Sequence, residues 1–131
     1  MTSAVYVDTS ALGRVLLHEP DRSVIERDLN PFKRRIASRL LSVELRRIGL
    51  RDNCLDEVDR LLADISLIPM DEEILAAAET IPPSTVASLD AIHLATAVKL
   101  ADTDGLDAIM TYDKRLADGA REHGLTVLIP S

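Results

Sequence analysis

Apolar and polar positions change their period repeatedly along this chain. Ala4–Val7 is an unbroken apolar run that stops at Asp8-Thr9-Ser10, after which Ala11, Leu12, Val15, Leu16 and Leu17 recur at helical spacing. The pattern predicts a strand running into a helix. His18-Glu19-Pro20-Asp21 breaks that helix, because Pro20 disfavours helical geometry at Glu19. Asp21 is then placed to cap a second helix reaching about Leu29. Asn30-Pro31 signals a turn, residues 35–38 read as a short strand, and residues 40–50 read as a helix. Residues 52–63 predict another helix, with Leu55, Val58, Leu61 and Leu62 on one side. Residues 65–69 are strand-like, Asp71 can cap the helix after them, and Pro82-Pro83-Ser84 forms a break. Ser88 is a cap for a helix over residues 89–102. Residues 108–111 read as a strand, Asp113 caps a helix to about Glu122, Gly124 closes it, and residues 126–129 form the last strand.

Strands thus alternate with helices or helix pairs, which argues for an α/β fold with a parallel sheet of four to five strands covered on both faces. No repeat, linker or low-complexity segment divides residues 1–131, so one domain is expected. Composition sharpens this. Only Tyr6, Phe32 and Tyr112 are aromatic, so the core must be aliphatic, and a base-stacking platform is hard to assemble. The lone cysteine, Cys54, excludes an internal disulfide and a cysteine-built zinc cluster and suits a reducing compartment. No apolar run approaches the ~20 residues of a membrane span. The first residues lack the basic start and long apolar stretch of a signal peptide, so a cytoplasmic domain without a membrane partner is expected.

Net charge is −7, which at face value disfavours a polyanionic partner. The charge is uneven, however. Residues 31–51 hold seven basic residues (Lys33, Arg34, Arg35, Arg39, Arg46, Arg47 and Arg51) against Glu44 alone. That block reads either as a footprint for phosphates or as a solvated helix face whose arginines pair with acids elsewhere.

Four acids fall where such a fold puts chemistry, beyond the carboxyl ends of parallel strands. Asp8 follows the first strand directly, and Asp113 stands two residues past the fourth. Asp90 is in the first turn of the helix after Ser88. Glu44 has Leu40, Leu41 and Ile48 one turn away and projects from an otherwise apolar face of the third helix. Each acid also has a structural explanation. Asp8 and Asp113 suit helix caps, Asp90 suits the helix dipole, and an arginine from elsewhere can pair with Glu44, since a carboxylate among leucines is costly alone. Carboxylates meeting at one sheet edge repel unless some stay protonated or a divalent cation neutralises them. Oxygen-only ligands favour Mg²⁺ or Mn²⁺ over zinc, and such a site serves phosphodiester hydrolysis best.

Four segments carry a family resemblance: Val7-Asp8-Thr9-Ser10-Ala11-Leu12, Ser42-Val43-Glu44-Leu45, Leu89-Asp90-Ala91-Ile92-His93-Leu94-Ala95-Thr96-Ala97 and Thr111-Tyr112-Asp113-Lys114-Arg115-Leu116. In order and spacing the chain resembles PIN-domain ribonucleases from about Val5 to Ile129, and its size resembles VapC-type toxins of toxin–antitoxin pairs. The resemblance implies a Mg²⁺- or Mn²⁺-dependent endoribonuclease whose acidic cluster is Asp8, Glu44, Asp90 and Asp113. It also implies hydroxyl support from Thr9 and Thr111, a homodimer, and a cognate antitoxin that inhibits the enzyme. Leu41 stands where many relatives carry threonine, and Gly13-Arg14 replaces a commoner aliphatic–lysine pair. Arg14, Arg34, Arg35 and Arg39 are candidate phosphate contacts, chosen because they belong to or adjoin the basic block.

His93, three residues after Asp90, reads as a packed or hydrogen-bonded helix residue. Nucleophile-elbow, phosphate-loop and dinucleotide motifs are absent from the sequence. Residues 102–107 read as a solvated loop, without the glutamate and length of a calcium loop. Two alternatives differ in kind. A small metal-dependent phosphatase would use Asp8 as nucleophile but wants a second aspartate where Ser10 stands. A binding protein on the same scaffold would use its acids for structure alone.

Overall fold

The computed structural model describes residues 3–131. Five parallel strands form one sheet in the order β3-β2-β1-β4-β5, the upper end of the predicted number. The strands are β1 (Ala4–Val7), β2 (Arg34–Ser38), β3 (Ile65–Ile68), β4 (Ala108–Met110) and β5 (Val127–Leu128). The helices are α1 (Thr9–Leu16), α2 (Arg22–Leu29), α3 (Arg39–Arg51), α4 (Leu55–Leu62), α5 (Glu72–Thr80), α6 (Ser88–Thr103) and α7 (Lys114–Glu122). The strand order reverses at β1, whose neighbours are β2 and β4, with Val5 opposite both Arg35 and Ala108. A crevice must open there between the carboxyl ends of β1 and β4, because the connections leave the sheet toward opposite faces.

β1 is buried along its whole length, as a central strand covered on both faces has to be. Its alternate residues serve different layers. Val5 and Val7 pack with Leu12, Leu41, Leu45 and Val58 beneath α1–α4, while Ala4 and Tyr6 pack with Leu94, Ala97 and Leu116 beneath α6 and α7. The core is aliphatic, with Tyr6 as its one fully buried aromatic residue. Among the described residues no helix is long and apolar enough to cross a membrane.

Most boundaries follow the local signals, and the departures have local causes. Asp71 and Asp113 cap α5 and α7 through bonds from Ile74 N at 2.9 Å and Leu116 N at 2.8 Å. Gly124, at φ 79°, closes α7 with Gly124 N bonded to Arg121 O and Leu125 N to Ala120 O. The helix expected from residue 52 begins only at Leu55. Asn53 takes the left-handed conformation that asparagine tolerates (φ 56°), and Cys54 N bonds back to Gly49 O, so α3 is closed before α4 starts. Asp21 occupies the N-cap of α2 as expected but makes no side-chain capping bond; its carboxylate takes the Arg14 guanidinium at 2.7 Å. Ser88 is inside α6 and Ala87 occupies the cap.

Gly49 marks the closest approach of α3 and α4, where a Cβ would meet Val58 Cγ2 at 2.6 Å and Leu55 Cδ2 at 3.4 Å. Gly49→Val is therefore expected to cost about 1–3 kcal/mol through overpacking, read as a lower urea midpoint at unchanged m-value.

Candidate active site

Asp8 is the best-buried of the four acids, at 2% exposure. A carboxylate so placed needs donors, and it has two. Ser10 Oγ donates to Oδ1 at 2.7 Å, and Thr111 Oγ1 donates to Oδ2 at 2.9 Å. An ionised Asp8 only accepts, so the hydroxyls are the donors, and the bonds behind them are compatible with that. Ser10 Oγ accepts Tyr112 N–H at 2.8 Å, and Thr111 Oγ1 accepts Asp113 N–H at 3.0 Å. Backbone N–H groups only donate, so accepting them leaves each hydroxyl its own proton, which is free to go to Asp8. Asp8 N–H in turn reaches Met110 O at 3.2 Å. These bonds stitch the ends of β1 and β4 together. Asp8 is thus a clamped carboxylate and does not cap α1 with its side chain. Burial pushes its carboxyl up; the Ser10 hydroxyl, the nearby His93 ring and the Thr111 hydroxyl hold it back.

Asp113 is half-buried and keeps its expected capping role, with Oδ1 held by Leu116 N–H. Asp90, in the first turn of α6, has no hydrogen-bond donor among the described residues. Burial raises its carboxyl, and the charges of Asp113, Asp8 and Glu44 raise it further, to about 6. All four acids therefore share one electrostatic environment.

Glu44 has Oε1 held from two sides, by Thr9 Oγ1 at 2.7 Å and His93 Nε2 at 2.8 Å. Burial would raise this carboxyl, but the two bonds outweigh it and leave it below its ordinary range. Among the described residues no arginine pairs with Glu44. The arginines reach other acids instead: Arg14 to Asp21, Arg22 to Glu26, Arg46 to Asp59 and Arg51 to Asp52. Among the described residues no arginine or lysine forms an ion pair with any of the four clustered acids. Nor do three acidic, histidine or cysteine side chains converge there tightly enough to make a ready-built ligand set.

The remaining candidates separate by their place on the sheet. Thr9 and Thr111 both touch the cluster, on Glu44 and Asp8. Arg39 opens α3 just past the carboxyl end of β2, and Arg14 lies over the Tyr112 ring, 3.9 Å from its centre. Arg34 and Arg35 open β2 at the amino-terminal edge, the opposite end from the acids. The basic block is thus not one continuous surface. Two contributors were not singled out by sequence for this site, Ser10 and Tyr6. His93 is packed and hydrogen-bonded as expected, but its partner is one of the four acids.

The PIN domain family model matches residues 5–122. The chain belongs to the PIN domain family. Ribonuclease VapC47 of Mycobacterium tuberculosis (strain CDC 1551 / Oshkosh) is 37% identical over 96% of this chain and 96% of its own. Ribonuclease VapC46 of M. tuberculosis (strain ATCC 25618 / H37Rv) is 34% identical over 98% of this chain and 99% of its own. Among solved structures, a toxin-antitoxin complex from Klebsiella pneumoniae superposes with a TM-score of 0.74, covering 98% of each chain at 19% identity. That likeness establishes the shared PIN fold.

The repulsion at Asp90 has a measurable consequence. Its folded-state value of about 6 lies above its ordinary 3.8, so its contribution to stability is complete below about pH 3.8 and lost as pH rises through about 6. In chelator, the melting temperature of Asp90→Asn relative to the parent chain is expected to rise between pH 4 and pH 7. A pH-independent difference in thermal melts would contradict the shared field.

Proposed function

We propose that this chain is a Mg²⁺- or Mn²⁺-dependent endoribonuclease acting as the toxin of a toxin–antitoxin pair. What supports the reading is the raised carboxyl of Asp90, which Asp113, Asp8 and Glu44 push up together, in a crevice where no arginine or lysine pairs with the four acids among the described residues. Its support is chemical. Asp90 has no donor and a raised carboxyl, while Asp8 and Glu44 each use protein hydrogen bonds for orientation. All the donor atoms are hard oxygens. Mg²⁺ commonly keeps several waters and takes only one or two carboxylates directly, a demand that a loose cluster meets without a ready-built cage.

Asp8, Asp90 and Asp113 would hold the ion directly or through water, and Glu44 would complete the cluster or position the attacking water. When bound, the cation supplies charge neutralisation and Lewis acidity for phosphodiester hydrolysis. The chain supplies orientation. Ser10 and Thr111 fix Asp8, the α7 cap fixes Asp113, and Thr9 with His93 fixes Glu44. Arg14 and Arg39, at the carboxyl-end rim, are the phosphate contacts in this reading, while Arg34 and Arg35 stand too far round the sheet for that role. The names of the relatives and the toxin–antitoxin neighbour support an RNA substrate and an antitoxin partner. A cytoplasmic homodimer completes the proposal.

Asp8→Asn and Asp90→Asn are each expected to lower cleavage of a labelled RNA by about a hundredfold or more while keeping the native circular dichroism. EDTA should stop the parent, and Mg²⁺ or Mn²⁺ should restore it. Cleavage at the parental rate by either variant refutes the assignment. Among the arginines, Arg39→Ala is expected to raise KM for RNA and Arg34→Ala to leave it unchanged, measured at equal ionic strength.

A further inference from the structure

His93 lies fully inside the protein, with its side chain 1% exposed. Both ring nitrogens are engaged, on opposite sides. Nε2 meets Glu44 Oε1 at 2.8 Å, and Nδ1 meets Tyr6 Oη at 2.7 Å. The rings of Tyr6 and His93 meet edge to face with centroids 5.8 Å apart. Behind Tyr6, Ser38 N–H donates to Oη at 3.0 Å. Ser38 is the last residue of β2 and caps α3 by accepting Leu40 N–H at 3.1 Å.

For a neutral His93 ring the chain of bonds has a single direction. Ser38 N–H can only donate, so Tyr6 Oη accepts there and has its own proton to give. At the far end, an ionised Glu44 only accepts, so His93 must present Nε2–H to it. Nδ1 is then left as the acceptor for the Tyr6 hydroxyl. Thr9 donates to the same Oε1, so Oε2 is left without a protein donor among the described residues. The carboxylate is anchored by one oxygen and offers the other.

We propose that His93 is a positioning residue for Glu44, held in its Nε2–H form by the Tyr6 hydroxyl, so that a backbone amide of β2 sets the orientation of a site carboxylate. This rests on the nuclease reading of the cluster. It gives the buried tyrosine and the helix histidine a part in the reaction that neither the metal chemistry nor the fold requires of them. Partners behind a site carboxylate typically change activity 10–100-fold when removed.

Nitrogen-15 chemical shifts of the His93 ring in the parent chain at pH 7.5 test the relay without reference to activity. The expected spectrum has Nε2 protonated and Nδ1 bare, with Tyr6→Phe shifting the Nδ1 signal. A proton on Nδ1 overturns the proposal. In RNA cleavage, His93→Leu is expected to lower kcat about 10–100-fold with KM changed less than about twofold. His93→Gln retains an amide donor for Glu44 and is expected to recover most of the loss. Parental kcat in a folded His93→Leu, with Asp8→Asn inactive, overturns the proposal and leaves the nuclease reading standing. If the parent chain fails to cleave RNA with either cation, the nuclease reading falls, and the ring spectrum still decides whether the relay exists.

Discussion

A buried carboxylate at the end of the central strand sets the terms for everything around it. Asp8 is almost wholly removed from water, and an ion in that position is stable only where donors replace its hydration. Ser10 and Thr111 do so, and each hydroxyl is itself held by a backbone N–H of the segment that follows β4. The same four bonds that satisfy Asp8 therefore fix how β4 leaves the sheet and where Asp113 begins α7. Fold and site are one construction at this point: loosening the hydroxyls would free both the acid and the strand ends.

Around that anchor the charges are segregated. Several arginines elsewhere in the chain are matched with peripheral acids, some of them one turn or one residue away. Exposed pairs of this kind contribute little to stability. Among the described residues the four acids of the crevice have no arginine or lysine partner, and Asp90, which has no donor either, has its carboxyl raised. A protein selected for stability alone would place an arginine there or replace an acid.

Glu44 shows how unequal the four acids are. It is the one whose carboxyl falls below its ordinary range, because two side-chain donors, one of them backed by the β2 backbone through Tyr6, outweigh its burial. Asp8 is clamped and Asp113 capped, while Asp90 is left to its neighbours. Chemically similar groups acquire different tasks from the donors that reach them. The 19% identity of the Klebsiella complex beside its TM-score of 0.74 shows that this scaffold tolerates wide sequence change while keeping the sheet that positions such groups.

Element type was legible in the chain because it is encoded over a few residues: the apolar run 4–7, the helical spacing after it, and the caps at Asp71, Asp113 and Gly124. The positions of the four acids relative to strand ends and helix turns were legible for the same reason. Helix closure at Asn53 and the diversion of Asp21 to Arg14 were not, since each depends on a backbone conformation or a partner that periodicity does not record. Least legible were the bonds that define the site. Thr111 reaches Asp8 across 103 residues, His93 reaches Glu44 across 49, and Thr9 reaches Glu44 across 35. Hydrophobic patterning specifies which face of an element is buried, but hydrogen bonds between distant side chains exist only once strand order has brought β1, β2 and β4 side by side. Sequence determined where the candidate acids fall on their elements; tertiary structure decided which side chains hold one another in place.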